Sequence, residues 1–270
     1  MSPILAHTRV QNPAAAPQQW LLVLHGIYGS GRNWGSIARR LTDARPEWGV
    51  LLVDLRLHGA SRGFTGPHTV QAAAADVGAL VQSLDFHAAA VLGHSFGGKV
   101  ALLYARDHAE GLRQAWVMDS TPAVREPEGS AWSMIAGVRS LPADFASRAE
   151  AVQALMGLGY AEGLAQWMAI NLEFADGRYR WRLDMDDMEQ MLRSFFSTDL
   201  WDTAVRPPAG VEIHFVKATE SDTLDDEATR RVEAAAQANP SVHLHHVQGG
   251  HWLNTDNPDA VLALLVDNLP

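Results

Sequence analysis

The chain has 270 residues, no cysteine and a formal charge of −10 from 21 basic and 31 acidic side chains. The length suits one domain that carries an insertion, and the acidic balance argues against nucleic acid and anionic membranes as partners. The lack of cysteine excludes disulfides, thiolate metal ligands and a cysteine nucleophile.

Short apolar runs alternate with helix-forming segments through most of the chain. Strands are predicted, in chain order, at 4–10, 19–24, 49–54, 88–93, 112–118, 211–217 and 241–247. Helices are predicted at 33–43, 69–84, 96–108, 225–238 and 258–268. Most strand cores are continuous apolar runs, which is typical of strands buried on both faces. We therefore expect an α/β fold with a mostly parallel sheet and helices on both faces.

The pattern changes after Pro122. Between residues 123 and 206 no strand-like alternation recurs and apolar residues follow helical spacing. We interpret this segment as a helical cap inserted into a core domain of residues 1–122 and 207–270. It holds six of the eight methionines and four of the nine tryptophans. Packing between cap and sheet is the simplest role for these side chains, and an adaptable apolar pocket wall is the alternative.

A G-x-S-x-G pentapeptide, Gly93 to Gly97, follows the predicted strand at 88–93 and opens the predicted helix at 96–108. This strand–turn–helix context is what a nucleophile elbow requires, with glycines where the tight turn leaves no room for side chains. Ser95 would also stand at a helix N-terminus, where unpaired N–H groups favour developing negative charge. The alternative is a glycine-rich helix entry without chemistry.

A second glycine-rich loop, His25-Gly26-Ile27-Tyr28-Gly29, follows the predicted strand at 19–24. It can turn the backbone N–H of Ile27 toward the space above Ser95. With the N–H of Phe96, this would make a two-donor oxyanion hole. The alternative is an ordinary strand exit with a capping histidine.

A third loop, Gly249-Gly250-His251-Trp252, follows the last predicted strand. A histidine on a glycine loop just past a strand can approach a serine. The order of Ser95, then acidic candidates, then His251 matches the order of a serine hydrolase triad on this type of sheet.

These motifs together resemble the α/β-hydrolase superfamily over nearly the whole chain, and the small bacterial esterases and their mitochondrial abhydrolase-domain relatives most closely. The segments that carry the resemblance are Leu24-His25-Gly26 with Gly29-Ser30 and Asn33-Trp34, Asp54 to Ser61, Gly93 to Lys99, Asp119 to Pro122, and Gly250-His251-Trp252. Leu57 departs from the pattern, since relatives more often carry Asn or Gly there, but it lies outside the chemistry. The resemblance implies the α/β-hydrolase fold and ester hydrolysis by a Ser-His-Asp triad.

Two carboxylates compete as the partner of His251. Asp222, on the loop after the strand at 211–217, holds the position where most family members place their acid, and Glu220 is a weaker candidate beside it. The small-esterase branch instead places an Asp shortly before a Pro after the preceding strand, which Asp119 and Pro122 match. We favour Asp222 as the direct partner, with Asp119 as the alternative or a supporting acid.

Other polar residues are given structural interpretations. Asp54, Arg56 and His58 lie on the wrong loop to complete a triad, and Lys99 is expected to be solvated or paired. The acidic run from Asp184 to Glu189 is expected to be the solvated face of a cap helix, since it lacks the spacing of a calcium loop. The strand histidines His243, His245 and His246 do not share one face, and no carboxylate cluster adjoins them in sequence. We therefore predict no metal and no cofactor.

The sequence thus predicts a serine hydrolase, most simply a carboxylesterase of short to medium acyl or aryl esters, with a small-molecule ester as its partner. Two alternatives stay open: thioester, lactone or carbon–carbon hydrolysis or perhydrolysis on the same triad, and a non-catalytic small-molecule receptor on this fold. No apolar run reaches membrane-spanning length, and residues 1–7 lack the features of a secretory signal, so we expect a cytoplasmic protein. The oligomeric state is left open.

Overall fold

Strands and helices alternate through the computed structural model, which describes residues 3–270. Met1 and Ser2, the start of the segment examined for a secretory signal, lie outside the described residues. The strands, in chain order, are β1 (His7–Val10), β2 (Gln19–Leu24), β3 (Trp48–Val53), β4 (Ala88–His94), β5 (Gln114–Met118), β6 (Asp144–Phe145), β7 (Leu172–Ala175), β8 (Arg178–Trp181), β9 (Glu212–Ala218) and β10 (Val242–Val247). The helices are α1 (Gly35–Ala44), α2 (Val70–Gln82), α3 (Phe96–Asp107), α4 (Gly129–Arg139), α5 (Arg148–Gly157), α6 (Glu162–Ala169), α7 (Met185–Ser197), α8 (Trp201–Val205), α9 (Asp226–Ala238), α10 (Leu253–Asp256) and α11 (Pro258–Asn268).

The main sheet has seven strands in the order β1-β3-β2-β4-β5-β9-β10. Strand β1 pairs antiparallel with β3, and every other pairing in this sheet is parallel. The central strands β3, β4 and β5 are buried along their whole length, as their continuous apolar runs predict. Parallel strands place all their carboxyl ends at one edge, which is where the loops that carry the candidate site residues begin.

Helices cover both faces of this sheet. Val77 of α2 and Val100 of α3 belong to one apolar core, while Ile37 of α1 and Leu265 of α11 belong to the core on the other face. The predicted fold class is confirmed, and the observed bounds of the core strands and helices lie within a few residues of the predicted ones. Among residues 3–270, none of the helices combines the length and apolar composition needed to cross a bilayer.

The segment between β5 and β9 differs from the sequence prediction. It contains α4 to α8, as the helical spacing predicts, but also a three-stranded antiparallel sheet in the order β6-β8-β7. The prediction that residues 123–206 lack strands is therefore wrong. Strands β7 and β8 have only four residues each and are half exposed, so they show no apolar run. The hairpin signal was Asp176-Gly177, whose positive φ angles of 52° and 79° suit a tight hairpin turn.

Candidate active site

Ser95 lies between the end of β4 and the start of α3, with φ 52° and ψ −118°. This is a strained conformation for a residue with a side chain, and the backbone hydrogen bond from Ser95 N–H to the Met118 carbonyl (3.0 Å) supports it. A Cβ on Gly93 would lie 1.9 Å from the Gly97 carbonyl oxygen, so the turn tolerates only glycine there. The strand–turn–helix geometry predicted for the pentapeptide is present.

Three side chains from three different loops form one hydrogen-bonded chain at the carboxyl edge of the sheet. Nε2 of His251, on the loop after β10, lies 3.0 Å from Oγ of Ser95. Nδ1 of the same ring lies 2.6 Å from Oδ2 of Asp119, which directly follows β5. With Nδ1–H donated to the carboxylate, Nε2 is left as the acceptor for the serine proton. This arrangement can make a serine hydroxyl nucleophilic.

The preference for Asp222 over Asp119 as the partner of His251 is corrected by this geometry. The Asp222 side chain is exposed, and its backbone carbonyl accepts from Arg125 at 3.2 Å. Glu220 is exposed as well. Asp119 is fully buried and adopts a positive φ of 41°, which turns its carboxylate toward His251. The physical reason is that the loop after β9 directs its acidic side chains outward, whereas β5 ends with its carboxylate under the histidine.

The loop after β9 still contributes to the site, through hydroxyl groups that the sequence analysis missed. Ser221 Oγ donates to Asp119 Oδ2 at 2.6 Å, and the Ala218 N–H donates to Oδ1 at 3.2 Å. Thr223 Oγ1 lies 3.1 Å from His251 Nδ1. Ser221 and Thr223 flank Asp222, the position predicted for the acid. Their place on that loop was the one sequence feature that could have pointed to them.

His94, the residue before Ser95, braces the histidine loop. Its Nε2 donates to the His251 carbonyl at 2.7 Å, and the two rings lie 4.7 Å apart between centroids. Burial, with the nearby His251 ring as a smaller contribution, lowers the pKa of His94 to about 3. The ring is therefore neutral at pH 7, with one N–H that serves this carbonyl. In the sequence, His94 is a variable position of the pentapeptide, so nothing local predicts this contact.

The loop from His25 to Gly29 lies against the serine turn, because a Cβ on Gly26 would be 3.2 Å from the Cβ of Ser95. Phe96 is the first residue of α3, so its N–H has no intrahelical acceptor. Between residues 3 and 270, neither this N–H nor that of Ile27 has a protein acceptor within hydrogen-bond distance. Both predicted donors therefore lack a protein acceptor within this range, and Ile27 lines the same cavity as Ser95.

Two buried histidines hold this loop against the neighbouring one. His25 accepts the Leu55 N–H at Nε2 (3.0 Å), and His58 accepts the Tyr28 N–H at Nε2 (3.0 Å). Each ring also lies within hydrogen-bond distance of a backbone carbonyl through Nδ1. Burial lowers the pKa of His25 to about 4 and that of His58 to about 3. Both rings are therefore neutral braces at pH 7.

The other residues given structural interpretations also make structural contacts. The Asp54 carboxylate accepts the Gly31 and Ala60 N–H groups at 2.8 Å each. Arg56 forms a buried ion pair with Asp76 at 2.7 Å. The expectation for Lys99 needs correction, since its side chain is fully buried and its Nζ donates to three backbone carbonyls rather than to water or an acid. Asp184 caps α7 by accepting the Asp186 and Asp187 N–H groups.

A cavity of about 380 Å³ opens beside Ser95 and His251. The segment from 123 to 206 supplies one wall, which includes Met134, Leu164 and Trp167. Met134 is the single methionine of that segment that lines this cavity, whereas Met168, Met188 and Met191 are fully buried in the core. Some of the methionines and tryptophans of this segment therefore line the cavity and others pack in the core. Core packing is the more common role for the methionines.

Polar contacts fix the wall formed by this segment to the loop after β2. Tyr28 Oη donates to the Ala131 carbonyl at 2.7 Å, and Asn171 Nδ2 donates to the Tyr28 carbonyl at 2.8 Å. The Trp167 ring contacts Trp252, with centroids 5.7 Å apart. This side of the cavity is thus built by the 123–206 segment together with the loops after β2 and β10.

Metal-ligand spacing occurs elsewhere in the molecule. Within residues 3–270, one group of three side chains could converge on an ion, namely Glu212, His214 and His243. Glu212 begins β9, so this group lies toward the amino ends of the strands and away from Ser95. The hydrogen-bonded chain of Ser95, His251 and Asp119 needs no metal to assemble.

Comparison with known proteins agrees with this fold. A family model described as the alpha/beta hydrolase family matches residues 21–264. The sn-1-specific diacylglycerol lipase ABHD11 of Mus musculus is 26% identical over 278 residues, which cover 97% of this chain and 85% of that protein. Lipase LipV of Mycobacterium tuberculosis is 24% identical over 256 residues, 92% of each chain. The solved structure of a marine microorganism esterase matches with a TM-score of 0.86 and 26% identity, covering 99% of this chain and 100% of that one.

Proposed function

This chain belongs to the alpha/beta hydrolase family, and we propose that it is a serine carboxylesterase that cleaves short to medium acyl or aryl esters. The observation that carries the proposal is the hydrogen-bonded chain from Ser95 through His251 to Asp119 at the edge of an apolar cavity. The names of similar proteins, two lipases and an esterase, support ester bonds as the target.

In the proposed mechanism, Ser95 Oγ attacks the ester carbonyl while His251 Nε2 takes the serine proton. His251 then gives this proton to the departing alkoxide, which leaves an acyl-enzyme on Ser95. A water then attacks the acyl carbonyl while it transfers a proton to the same nitrogen. Cleavage of the bond between Ser95 Oγ and the acyl carbon releases the acid, and His251 returns the proton to Ser95. Asp119 keeps the ring in the required tautomer and stabilises its cationic form through the 2.6 Å hydrogen bond. No cofactor takes part.

The tetrahedral intermediate places negative charge on the former carbonyl oxygen. We infer that the Ile27 and Phe96 N–H groups bind it, since both lack an acceptor among residues 3–270 and Ile27 lines the same cavity as Ser95. One such donor is typically worth roughly 3 to 4 kcal/mol of transition-state stabilisation. The bracing of Tyr28 by His58 holds the Ile27 peptide in place before substrate binds.

The cavity argues for a small substrate. We infer that residues 123–206 act as a cap, because Met134, Leu164 and Trp167 close one side of a space of only about 380 Å³. Such a volume lies at the lower end of small-molecule pockets, where an acyl chain of a few carbons fits and a long one does not. Apolar side chains predominate in this wall, which favours an uncharged acyl or aryl group.

The test is a series of p-nitrophenyl esters of rising acyl length, assayed with the wild-type protein and the Ser95→Ala variant. We expect the highest kcat/KM with short to medium chains and a loss of roughly 10⁴-fold or more in Ser95→Ala. A fluorophosphonate probe should label the wild type at Ser95 and leave the variant unlabelled. Removal of one oxygen from an elbow leaves packing intact, so the unfolding midpoint should stay unchanged.

Different results separate the other functions considered. Faster turnover of emulsified long-chain triglyceride than of soluble short esters would contradict the proposed substrate size. Labelling of Ser95 without ester turnover would favour thioester, lactone or carbon–carbon chemistry on the same residues. A wild-type protein that neither labels nor turns over esters would be a receptor on this fold.

A further inference from the structure

Histidines from β9 and β10 form a cluster that the proposed esterase reaction does not use. The two strands are parallel neighbours, and their register places His243 directly beside His214. Glu212 is two residues before His214, so its side chain projects from the same face of the sheet. In the sequence, the histidines of β10 stand near one another without an adjacent carboxylate. The missing ligands lie on the other strand.

This cluster is well separated from the candidate active site. Ala218, whose N–H binds Asp119, ends β9 four residues after His214, which corresponds to about 13 Å of strand. Strand β10 is the last strand of the sheet, so the cluster lies at the sheet margin. The Glu212 side chain is 47% exposed there, which leaves a path for an ion from solvent.

The three side chains already converge. One ligand atom from each of Glu212, His214 and His243 lies within 4.8 Å of the other two. His243 Nε2 is buried without a hydrogen-bond partner among the described residues. A buried polar nitrogen without a partner is unfavourable, so a bound ion or an ordered water would stabilise this atom.

We propose that Glu212, His214 and His243 bind a divalent transition metal ion, Zn²⁺ being the best match, at a site distinct from the ester-hydrolysing centre. Two imidazole nitrogens and one carboxylate oxygen form a ligand set that suits Zn²⁺. Ligand separations in a tetrahedral zinc site are about 3.4 Å, and the three ligand atoms already lie within 4.8 Å of one another, so no pair has to close by more than about 1.4 Å. The exposed Glu212 side chain can supply most of this movement.

Neighbouring side chains already orient the three ligands, as residues that hydrogen-bond to metal-binding side chains do in metal sites. Nδ1 of His214 lies 3.1 Å from His245 Nε2, and donation of its proton there leaves Nε2 unprotonated. This Nε2 faces Glu212 Oε2 at 3.3 Å, so one ion can bind both atoms. Gln114 Nε2 donates to Glu212 Oε2 at 2.9 Å. Trp116 stacks on the His214 ring at 4.1 Å and fixes its plane. Water completes the coordination of the ion on its exposed side.

The experiment titrates untagged, chelator-treated protein with Zn²⁺ by calorimetry and with Co²⁺ by visible absorption. We expect one site per chain in the wild type, with affinity weakened roughly tenfold or more in His243→Ala and in Glu212→Gln. The matched control is His246→Ala, because His246 is exposed on the other face of the same strand and should leave binding unchanged. Circular dichroism establishes that each variant is folded.

The proposal is overturned if wild-type protein binds Zn²⁺ no more tightly than about 1 mM, or if His243→Ala and Glu212→Gln bind like wild type. Ester hydrolysis is measured in parallel. Activity retained in both variants with metal binding lost supports two separate sites. Failure of Ser95→Ala to lose activity would reject the esterase proposal and leave the metal proposal standing, since its readout is metal binding.

Discussion

A carboxylate can orient His251 only if one of its oxygens reaches Nδ1, and the direction of individual side chains determines which acid does so. Asp119 meets the condition with a buried side chain that also accepts from Ser221 and Ala218. Asp222 has the expected place in the sequence but an exposed side chain. The hydroxyl of Ser221 occupies the inward position of that loop instead. Asp119 is thus the carboxylate that we expect to orient and stabilise the histidine.

Replacing Asp119 by Asn should therefore lower kcat by roughly 10⁴-fold, because an amide can leave His251 in the wrong tautomer. The matched control is Asp222→Asn, which removes a charge from the same region and should keep most of the activity. The measurement is kcat and KM for one soluble ester with both variants. The assignment fails if Asp222→Asn is the crippled protein while Asp119→Asn turns over normally.

Sequence alone could predict Ser95 and His251 because each stands in a local motif whose backbone requirements are visible in the residues. The acid lacks such a motif. Both acidic loops start at the same edge of the sheet, so their positions along the chain do not discriminate between them. The outcome depends on side-chain direction after β5 and after β9, which is a tertiary property. His94 and Thr223 were missed for the same reason.

At the scale of elements, Lys99 joins α3 to the segment from 123 to 206. Its Nζ donates to the carbonyls of Ala123 (2.8 Å), Phe195 (2.6 Å) and Thr198 (2.7 Å). Ala123 lies just after Pro122, where the segment begins, and the other two carbonyls lie at the end of α7. One ammonium group therefore binds the start of the 123–206 segment and the end of α7 to α3 of the core.

The Lys99→Met variant keeps much of the side-chain volume but leaves three carbonyls without their donor. We expect destabilisation by roughly 1 to 3 kcal/mol, since the buried Phe195 carbonyl loses its donor while the half-buried carbonyls of Ala123 and Thr198 can turn to water. Urea unfolding measures the change. Arg206→Met is the control, because Arg206, which follows α8, forms an exposed pair with Asp202 whose loss should alter stability by less than about 0.5 kcal/mol. Equal stabilities of the two variants would contradict this role.

The core elements were predictable because strands buried on both faces, such as β4 and β5, consist of continuous apolar runs. The small sheet of β6, β7 and β8 was not. Its strands are short, half exposed and rich in charge, and their pairing is held by ion pairs such as Arg178 with Asp144 at 2.8 Å. Strand β6 depends on a partner distant in sequence, and β7 and β8 are too short and too exposed for local periodicity to reveal them.

At the scale of the whole molecule, three fully buried histidines tie loops of the carboxyl edge together. His25 and His58 connect the loops after β2 and β3, and His94 connects the serine turn to the histidine loop. Each accepts or donates as a neutral ring, and burial lowers the pKa of each to about 3 or 4. The ordinary value is 6.5, which the unfolded chain regains.

Stability should therefore fall as the pH drops below about 6.5. Between that pH and about 4, the unfolded chain binds protons that the folded protein excludes, so the free energy of unfolding decreases by up to roughly 1.4 kcal/mol per pH unit for each histidine. Above about pH 6.5 the rings are neutral in both states and this contribution is constant. Urea unfolding across the range from about pH 5 to about pH 7.5 measures the slope.

One variant separates these histidines from the acidic side chains that also titrate on acidification. His58→Gln retains a donor and an acceptor but does not titrate, so the slope between about pH 5 and 6.5 should decrease by up to roughly 1.4 kcal/mol per pH unit. The matched control is His246→Gln at an exposed position, which should leave the slope as in the wild type. If both variants lose stability with the wild-type slope, the neutral brace at His58 does not contribute to acid sensitivity. A reduced slope in His58→Gln alone would establish that the loops carrying the site are held by rings that must stay uncharged.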